Sequence, residues 1–194
     1  MATVPKIVAA APPAAATPRT SRGEAGFTLI DLLFTASLIC TLSTMALPAL
    51  LRARNVAQSA SAVATLRVVN SAQLSFAVTC GSGFYAPAFT TLGTAPPSGT
   101  PFLPPELATG VSFVKQGYNY SMTGAPLLGA PASCNGLPAG ETSPGYAAFS
   151  DPLDGVANPL YYATNADGTI YQHNATMNGI MPESGPPPAG IPVK

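Results

Sequence analysis

The chain has 194 residues, of which 47% are hydrophobic and only 8% are charged, whereas globular domains usually carry roughly a quarter charged residues. Eight Lys and Arg balance eight Asp and Glu, so the sequence offers neither a basic surface that would attract nucleic acid nor an acidic tail. The 22 Pro and 18 Gly favour turns and long loops. A chain of this length accommodates one medium-sized domain and a membrane anchor.

The first 26 residues are rich in Ala, Pro and Thr, and they show no pattern that would build a packed core. A conventional signal peptide is the first alternative, but its apolar core should precede the cleavage site. Here the stretch from Ile7 to Ala16 is short and is broken by Pro12 and Pro13. The long apolar run comes only afterwards.

That run extends from Leu32 to Leu51, twenty residues without a formal charge. At ~1.5 Å per helical residue it is long enough to cross a ~30 Å hydrocarbon core. The sequence therefore predicts a single membrane-spanning helix within residues 27–51. The flanking cations favour an N-terminus inside only weakly, because they lie on both sides of the run: Lys6, Arg19, Arg22, Arg52 and Arg54.

The helix is expected to continue beyond the membrane through residues 52–80, since no Gly or Pro occurs between Ala49 and Cys80. A coiled coil is one interpretation of this segment, but a strict heptad is not maintained. Arg67 and Asn70 interrupt its apolar pattern. We expect the outer helix to pack on its own globular domain through a stripe at Val56, Ala60, Val63, Leu74 and Val78.

Residues 81–180 alternate short β-like runs with Gly- and Pro-rich stretches, a texture typical of a small antiparallel sheet with long loops. In the last run the sequence Asn165-Ala166-Asp167-Gly168 predicts a hairpin turn. The Pro-rich tail, residues 181–194, is expected to be irregular or polyproline-like rather than packed. The predicted strands lie in VSFVKQGYNYSM (residues 111–122), GYAAFS (145–150) and LYYATNADGTIYQH (160–173).

The three cysteines are not equivalent. Cys40 lies inside the apolar run, whereas Cys80 and Cys134 lie in polar, breaker-rich sequence. No Cys-x-x-Cys or Cys/His spacing indicates a zinc site. A disulfide between Cys80 and Cys134, formed in an oxidising compartment and leaving Cys40 free, is the better interpretation.

The segment Gly26-Phe27-Thr28-Leu29-Ile30-Asp31 places a small residue, an aromatic residue and a single carboxylate at the start of the apolar helix. It resembles the cleavage motif of type IV prepilins and type II secretion pseudopilins. In that family a membrane-embedded aspartyl peptidase cuts after the glycine and methylates the new amine. The resemblance implies cleavage between Gly26 and Phe27, N-methylation of Phe27, and removal of residues 1–26 as a leader peptide.

Two further residues have counterparts in this family. A carboxylate like Asp31 costs about 3 kcal/mol inside a bilayer unless it is partnered, and in the family it is thought to meet the amine of a neighbouring subunit during assembly. Stabilisation of the first helical turn is the alternative role. The family usually has Glu at this place. Pro48, the twenty-second residue counted from Phe27, matches a helix-breaking proline of pilins; an ordinary kink is the alternative.

The resemblance implies an α+β pilin-like fold, in which a long N-terminal helix packs on a small antiparallel sheet. The implied partners are a prepilin peptidase, identical or related subunits in a helical filament, the inner-membrane assembly platform and, before assembly, membrane lipid. The implied location is the bacterial inner membrane with a periplasmic C-terminal domain, and later an extracellular pilus or a periplasmic pseudopilus. The alternatives are a type II secretion pseudopilin and a membrane-anchored periplasmic enzyme or binding domain.

Other chemistry finds little support in the sequence. The single histidine, His173, has no Ser or Cys at motif spacing, so no catalytic triad or metal site is indicated and no enzymatic activity is expected. No cofactor is expected either, with calcium as the weak exception. Its candidate ligands, by likeness to the calcium loops of major pseudopilins, are Asp151, Asp154 and Asp167, although EF-hand spacing is absent from the sequence.

Overall fold

The computed structural model describes residues 26–193 and has an α+β architecture. It divides into two compact units between Met45 and Ala46. Helix α1 spans Leu29–Thr79, helix α2 spans Phe89–Gly93, and a single 3-10 turn spans Pro105–Leu107. The strands are β1 Ser112–Lys115, β2 Tyr118–Thr123, β3 Ala147–Pro152, β4 Tyr161–Asn165, β5 Ile170–His173 and β6 Ile191–Pro192.

The six strands form one antiparallel sheet in which each strand pairs with the next along the chain. All three predicted β runs contain strands, and the predicted hairpin is confirmed by the pairing of Tyr161 with His173 through Thr164 with Ile170. The first run folds into β1 and β2 around a two-residue turn. Gln116 and Gly117 both have positive φ there, 48° and 80°, as a tight hairpin turn requires.

The outer half of α1 does pack on the sheet, but most of the predicted stripe is wrong. Val63 is partly buried against the core, whereas the other four residues are exposed: Val56, Ala60, Leu74 and Val78. The buried positions follow the same helical period one face away and contact the tyrosines and methionine of β2. That face includes small and polar residues, so the pattern of hydrophobic residues alone predicted the wrong face of the helix. Its buried residues are Ala62, Thr65, Leu66, Val69, Ala72, Gln73, Phe76 and Ala77.

The opposite face of the sheet is covered by the segment that follows β5. Met177 and Met181 are buried there against Phe149 of β3 and its neighbours Ala147 and Ala163. Strand β3 is therefore buried on both faces over its first four residues, of which Ala147, Ala148 and Phe149 are apolar.

The expectation of an unpacked tail is also wrong. Residues 181–190 are largely irregular, yet Met181 is buried and Ile191–Pro192 pair with β5 as strand β6. The Val193 N–H donates to the Ile170 carbonyl at 2.8 Å, and the Val193 side chain packs against the main core. Proline is tolerated in β6 because this strand lies at the edge of the sheet.

The predicted disulfide between Cys80 and Cys134 is present, and Cys40 is free and exposed. Cys80 directly follows α1, and its carbonyl accepts a hydrogen bond from the Cys134 N–H at 3.1 Å. The bond therefore ties the end of the long helix to the loop between β2 and β3.

Candidate functional site

The Gly26–Phe27 junction lies just before α1 in non-helical backbone. Both residues are exposed, and the Phe27 side chain is 89% accessible. Of the expected leader, Gly26 alone falls within the described residues. The peptide bond between these two residues is thus reachable without unwinding the helix.

Thr28 and Asp31 form a reciprocal cap at the start of α1. The Asp31 Oδ2 atom accepts hydrogen bonds from the Thr28 N–H at 3.2 Å and from the Thr28 hydroxyl at 2.5 Å. In return the Asp31 N–H donates to the Thr28 hydroxyl oxygen at 3.3 Å. This is the arrangement of a capping box, with Asp in place of the more common Glu. The Thr-x-x-Asp spacing was a signal for it in the sequence.

The segment that follows has an unusual surface for a folded chain, because every residue from 26 to 54 is exposed. Its long aliphatic and aromatic side chains include Leu29, Ile30, Phe34 and Ile39. Helix α1 is long and apolar enough to cross a membrane. An exposed apolar surface of this size is typical of a site of contact with a membrane or with other proteins.

All five hydroxyl side chains of the apolar run are satisfied within the helix itself. Each donates to a backbone carbonyl three or four residues earlier, at 2.8 to 3.0 Å. These internal bonds lower the cost of placing hydroxyls in hydrocarbon, where no water is available as a partner. The residues concerned are Thr35, Ser37, Thr41, Ser43 and Thr44.

Pro48 lies inside α1, as the sequence predicts, and the helix extends on both sides of it. A proline at this position removes one backbone N–H donor from the helical ladder. The helix is therefore locally weaker at Pro48 than elsewhere in the apolar run.

Polar side chains on the outer half of α1 hold the helix on the domain, a role for which the sequence contains no local signal. The Gln73 side chain is fully buried; its Nε2 donates to the Ala86 carbonyl at 2.8 Å and its Oε1 accepts from the Ala86 N–H at 2.9 Å. Asn70 receives a hydrogen bond from the buried Tyr146 hydroxyl at 2.9 Å and donates to Thr164 at the same distance. Each contact joins residues far apart in sequence.

Each of the three calcium candidates accepts hydrogen bonds from other residues of the chain. The Asp154 Oδ1 atom accepts the N–H groups of Val156 and Ala157, both at 3.0 Å, and the Asp167 Oδ2 atom accepts the Gly185 N–H at 2.9 Å. Asp167 lies in the turn after β4, and Asp151 lies near the end of β3. Because β3 and β4 are antiparallel, these two carboxylates are at opposite ends of the strand pair. Among residues 26–193 no group of three or more His, Cys, Asp or Glu is arranged to hold a metal ion.

Asp151 is the most buried of these carboxylates. Its Oδ2 accepts a hydrogen bond from the Thr176 hydroxyl at 2.9 Å, while its Oδ1 is buried without a hydrogen-bond partner in the described part of the chain. Burial raises the pKa of the Asp151 carboxyl above its usual value, and the Thr176 hydrogen bond offsets part of that increase. The single histidine, His173, accepts from the Ala175 N–H at 3.1 Å if its Nδ1 is unprotonated.

Comparison with known proteins returned no matching family model, no matching curated protein and no matching solved structure. The features of this chain that bear on its function are the Gly26–Phe27 junction, the cap formed by Thr28 and Asp31, and the exposed apolar helix that contains Pro48.

Proposed function

We propose that the chain is the precursor of a structural subunit of a type IV pilus-like filament. A prepilin peptidase cuts it between Gly26 and Phe27, the new amine of Phe27 is methylated, and the mature subunit polymerises through its N-terminal helix. The precursor spans the bacterial inner membrane once, and its sheet domain lies in the periplasm. An assembly platform in that membrane transfers it from lipid into the filament.

One observation carries the proposal: an exposed Gly–Phe junction directly precedes a capped helix whose first 26 residues are all exposed and mostly apolar. An anchor that merely held a domain at a membrane would not require a small residue, an aromatic residue and a carboxylate in this order at its start. The order is the one by which a prepilin peptidase distinguishes its substrates, as the family resemblance implies. The α+β plan of the remaining chain agrees with that family.

Asp31 is suited to a second role besides capping. Within the described residues, the hydrogen bonds to its carboxylate use Oδ2, which leaves Oδ1 accessible to an external cation. Cleavage creates such a cation, because the new ammonium or methylammonium of Phe27 keeps its positive charge. Pairing of Asp31 with the Phe27 amine of a neighbouring subunit would neutralise both charges in the apolar interior of a filament.

The exposed apolar helix accounts for both stages of the proposed cycle. In the membrane its side chains contact lipid, and in the filament they contact the helices of other subunits, so transfer exchanges one apolar environment for another. Pro48 supports this exchange because a helix that lacks one backbone hydrogen bond adjusts its local rise at low cost.

The test is the chemical identity of the mature N-terminus. The full chain is co-expressed with a prepilin peptidase, and intact-mass and peptide mass spectrometry are performed on the membrane fraction. We expect a product that begins at N-methylated Phe27. A Gly26→Leu variant, which keeps the helix unchanged, is expected to remain uncut. A wild-type product that begins at Ala2 or beyond Pro48 would instead indicate an anchored domain or a removed signal sequence.

A further inference from the structure

The loop Leu153–Ala157, between β3 and β4, is fastened to α1 a short distance after the apolar run. The Asn55 side-chain N–H donates to the Ala157 carbonyl at 2.7 Å. The next residue, Asn158, is buried and donates to the Ser59 hydroxyl at 3.1 Å. The other end of the loop is also fixed, because the Leu153 N–H donates to the Gly117 carbonyl at 2.9 Å.

These contacts fix the position of the loop along the part of α1 that belongs to the second of the two units, which begins at Ala46. The charge-free run ends at Leu51, and Asn55 follows four residues later, which corresponds to ~6 Å along a helix. The headgroup layer of a bilayer is about 5 to 7 Å thick on each side of the ~30 Å hydrocarbon core. A loop held beside Asn55 therefore lies at the depth of the lipid headgroups when Leu51 lies at the edge of the core.

The side chains at this level have the composition of a membrane-contacting surface. Val156, which precedes Ala157 in the chain, is 96% exposed, and Val56 on the adjacent helix is 70% exposed. Leu153, at the other end of the loop beside Gly117, is 62% exposed. Arg52 and Arg54, both exposed, supply positive charge at the same level of α1. Aliphatic side chains flanked by cations favour the interface of a bilayer that contains anionic lipid.

The one acidic residue of the loop is occupied by the loop itself. The Asp154 carboxylate accepts the backbone N–H groups of Val156 and Ala157, so it fixes the turn that carries Val156 at its surface. The apolar tip is thus held in place and is available to an external partner.

We infer that the Leu153–Ala157 loop is a membrane-contact surface of the precursor. Val156 reaches from the headgroup layer toward the acyl chains, Leu153 contacts the headgroups, and Arg52 and Arg54 bind anionic headgroups. This inference rests on the proposed function, because it requires α1 to be embedded in a bilayer. The sheet domain then contacts the membrane surface through this loop, and the contact is broken when the subunit leaves the lipid.

The absence of tryptophan from the sequence allows a direct test. Single tryptophans are introduced into the full-length chain as Val156→Trp or Leu153→Trp, and each variant is reconstituted in vesicles of phosphatidylcholine with a minor share of phosphatidylglycerol. Fluorescence is then compared between vesicles whose lipids carry bromine near the carbonyl end of the acyl chain and vesicles without bromine. We expect a blue-shifted emission that loses most of its intensity in the brominated vesicles.

Two matched variants complete the design. Leu128→Trp lies in an equally exposed loop, where Leu128 is 94% accessible, but its neighbour Leu127 bonds to Thr142 near the Cys80 end of α1. Leu42→Trp lies within the apolar run and reports on insertion through bromine at the chain terminus. We expect Leu128→Trp to be unquenched by either lipid and Leu42→Trp to be strongly quenched.

The outcomes separate the two hypotheses. If Leu42→Trp is quenched while Val156→Trp and Leu153→Trp behave like Leu128→Trp, the loop contact is refuted and the membrane-embedded precursor stands. If Leu42→Trp is not quenched, the embedded helix fails, and the loop contact fails with it.

Discussion

At the scale of single residues, Asp31 combines a structural role with a proposed electrostatic one. Its Oδ2 completes the cap with Thr28, and its charge is the proposed partner of the Phe27 amine. A side chain with two roles gives misleading results when it is removed entirely. The two roles separate only in variants that change the cap and the charge independently.

Asp31→Asn and Thr28→Val make this separation. Asn keeps an oxygen that accepts the cap hydrogen bonds but carries no charge, whereas Val removes the hydroxyl and leaves the carboxylate. We expect Asp31→Asn to be cleaved normally but to be absent from filaments. Thr28→Val should lose about 1 kcal/mol of helix stability and still be incorporated. Quantitative mass spectrometry of membranes and of sheared filaments measures cleavage and incorporation.

The reverse pattern would contradict amine pairing. If filaments contain normal amounts of Asp31→Asn but little Thr28→Val, the cap is the important property of this site, and Asp31 serves to begin the helix. Expression levels of the two precursors in the membrane fraction serve as the control for folding.

At the scale of elements, the sequence predicted which segments form helices and strands better than it predicted how they meet. Three features follow from local signals. The absence of breakers predicts the outer half of α1, turn chemistry predicts the hairpin at Asn165–Gly168, and the sequence around each cysteine predicts the disulfide. The orientation of α1 does not, because two faces carry apolar residues at helical spacing. The buried face contains Gln73, which a hydropathy pattern counts against burial.

The packing of the tail escaped prediction for a similar reason. Its Pro-rich composition indicates irregular structure, and most of it is irregular. Burial of Met181 and Val193, however, depends on surfaces formed by β3 and β5, which are distant in sequence. At the candidate site, the Gly26–Phe27 motif was recognisable in the sequence, whereas the contact of Asn55 with Ala157 spans about a hundred residues and left no local signal.

Gln73 is the element-scale contact whose removal has the clearest expected cost. A Gln73→Met substitution keeps the length of the side chain but leaves the buried N–H and carbonyl of Ala86 without their partners. We expect the free energy of unfolding to fall by about 3 kcal/mol. Urea unfolding of the detergent-solubilised chain, followed by tyrosine fluorescence, measures this change.

Leu74→Ala is the matched control for that experiment. Leu74 is adjacent in sequence but exposed, so its truncation should change the free energy of unfolding by less than ~0.5 kcal/mol. A larger loss in Leu74→Ala than in Gln73→Met would mean that α1 packs through the face that contains Leu74, as the apolar stripe predicts.

At the scale of the whole molecule, the Cys80–Cys134 disulfide joins the end of α1 to the loop before β3 across 54 residues. A loop of this length restricts the unfolded chain, and its closure stabilises the fold by about 4 kcal/mol in the chain-entropy description.

Replacement of both bridged cysteines by serine should therefore lower the urea midpoint markedly, at a cost of about 4 kcal/mol. Cys40→Ser should leave the midpoint unchanged, because Cys40 is exposed and free. Peptide mapping without reductant is expected to link Cys80 to Cys134 in the wild-type chain. A link that involves Cys40, or a midpoint that is insensitive to the double replacement, would contradict this role.

The same covalent bond has a mechanical consequence. When α1 and β3 are pulled apart, covalent tension passes from Cys80 directly to Cys134 and bypasses residues 81–133 of the backbone. At about 3.4 Å per extended residue, reduction of the bond releases about 180 Å of additional contour length. The disulfide therefore limits how far the chain extends under tension, for as long as the bond stays oxidised.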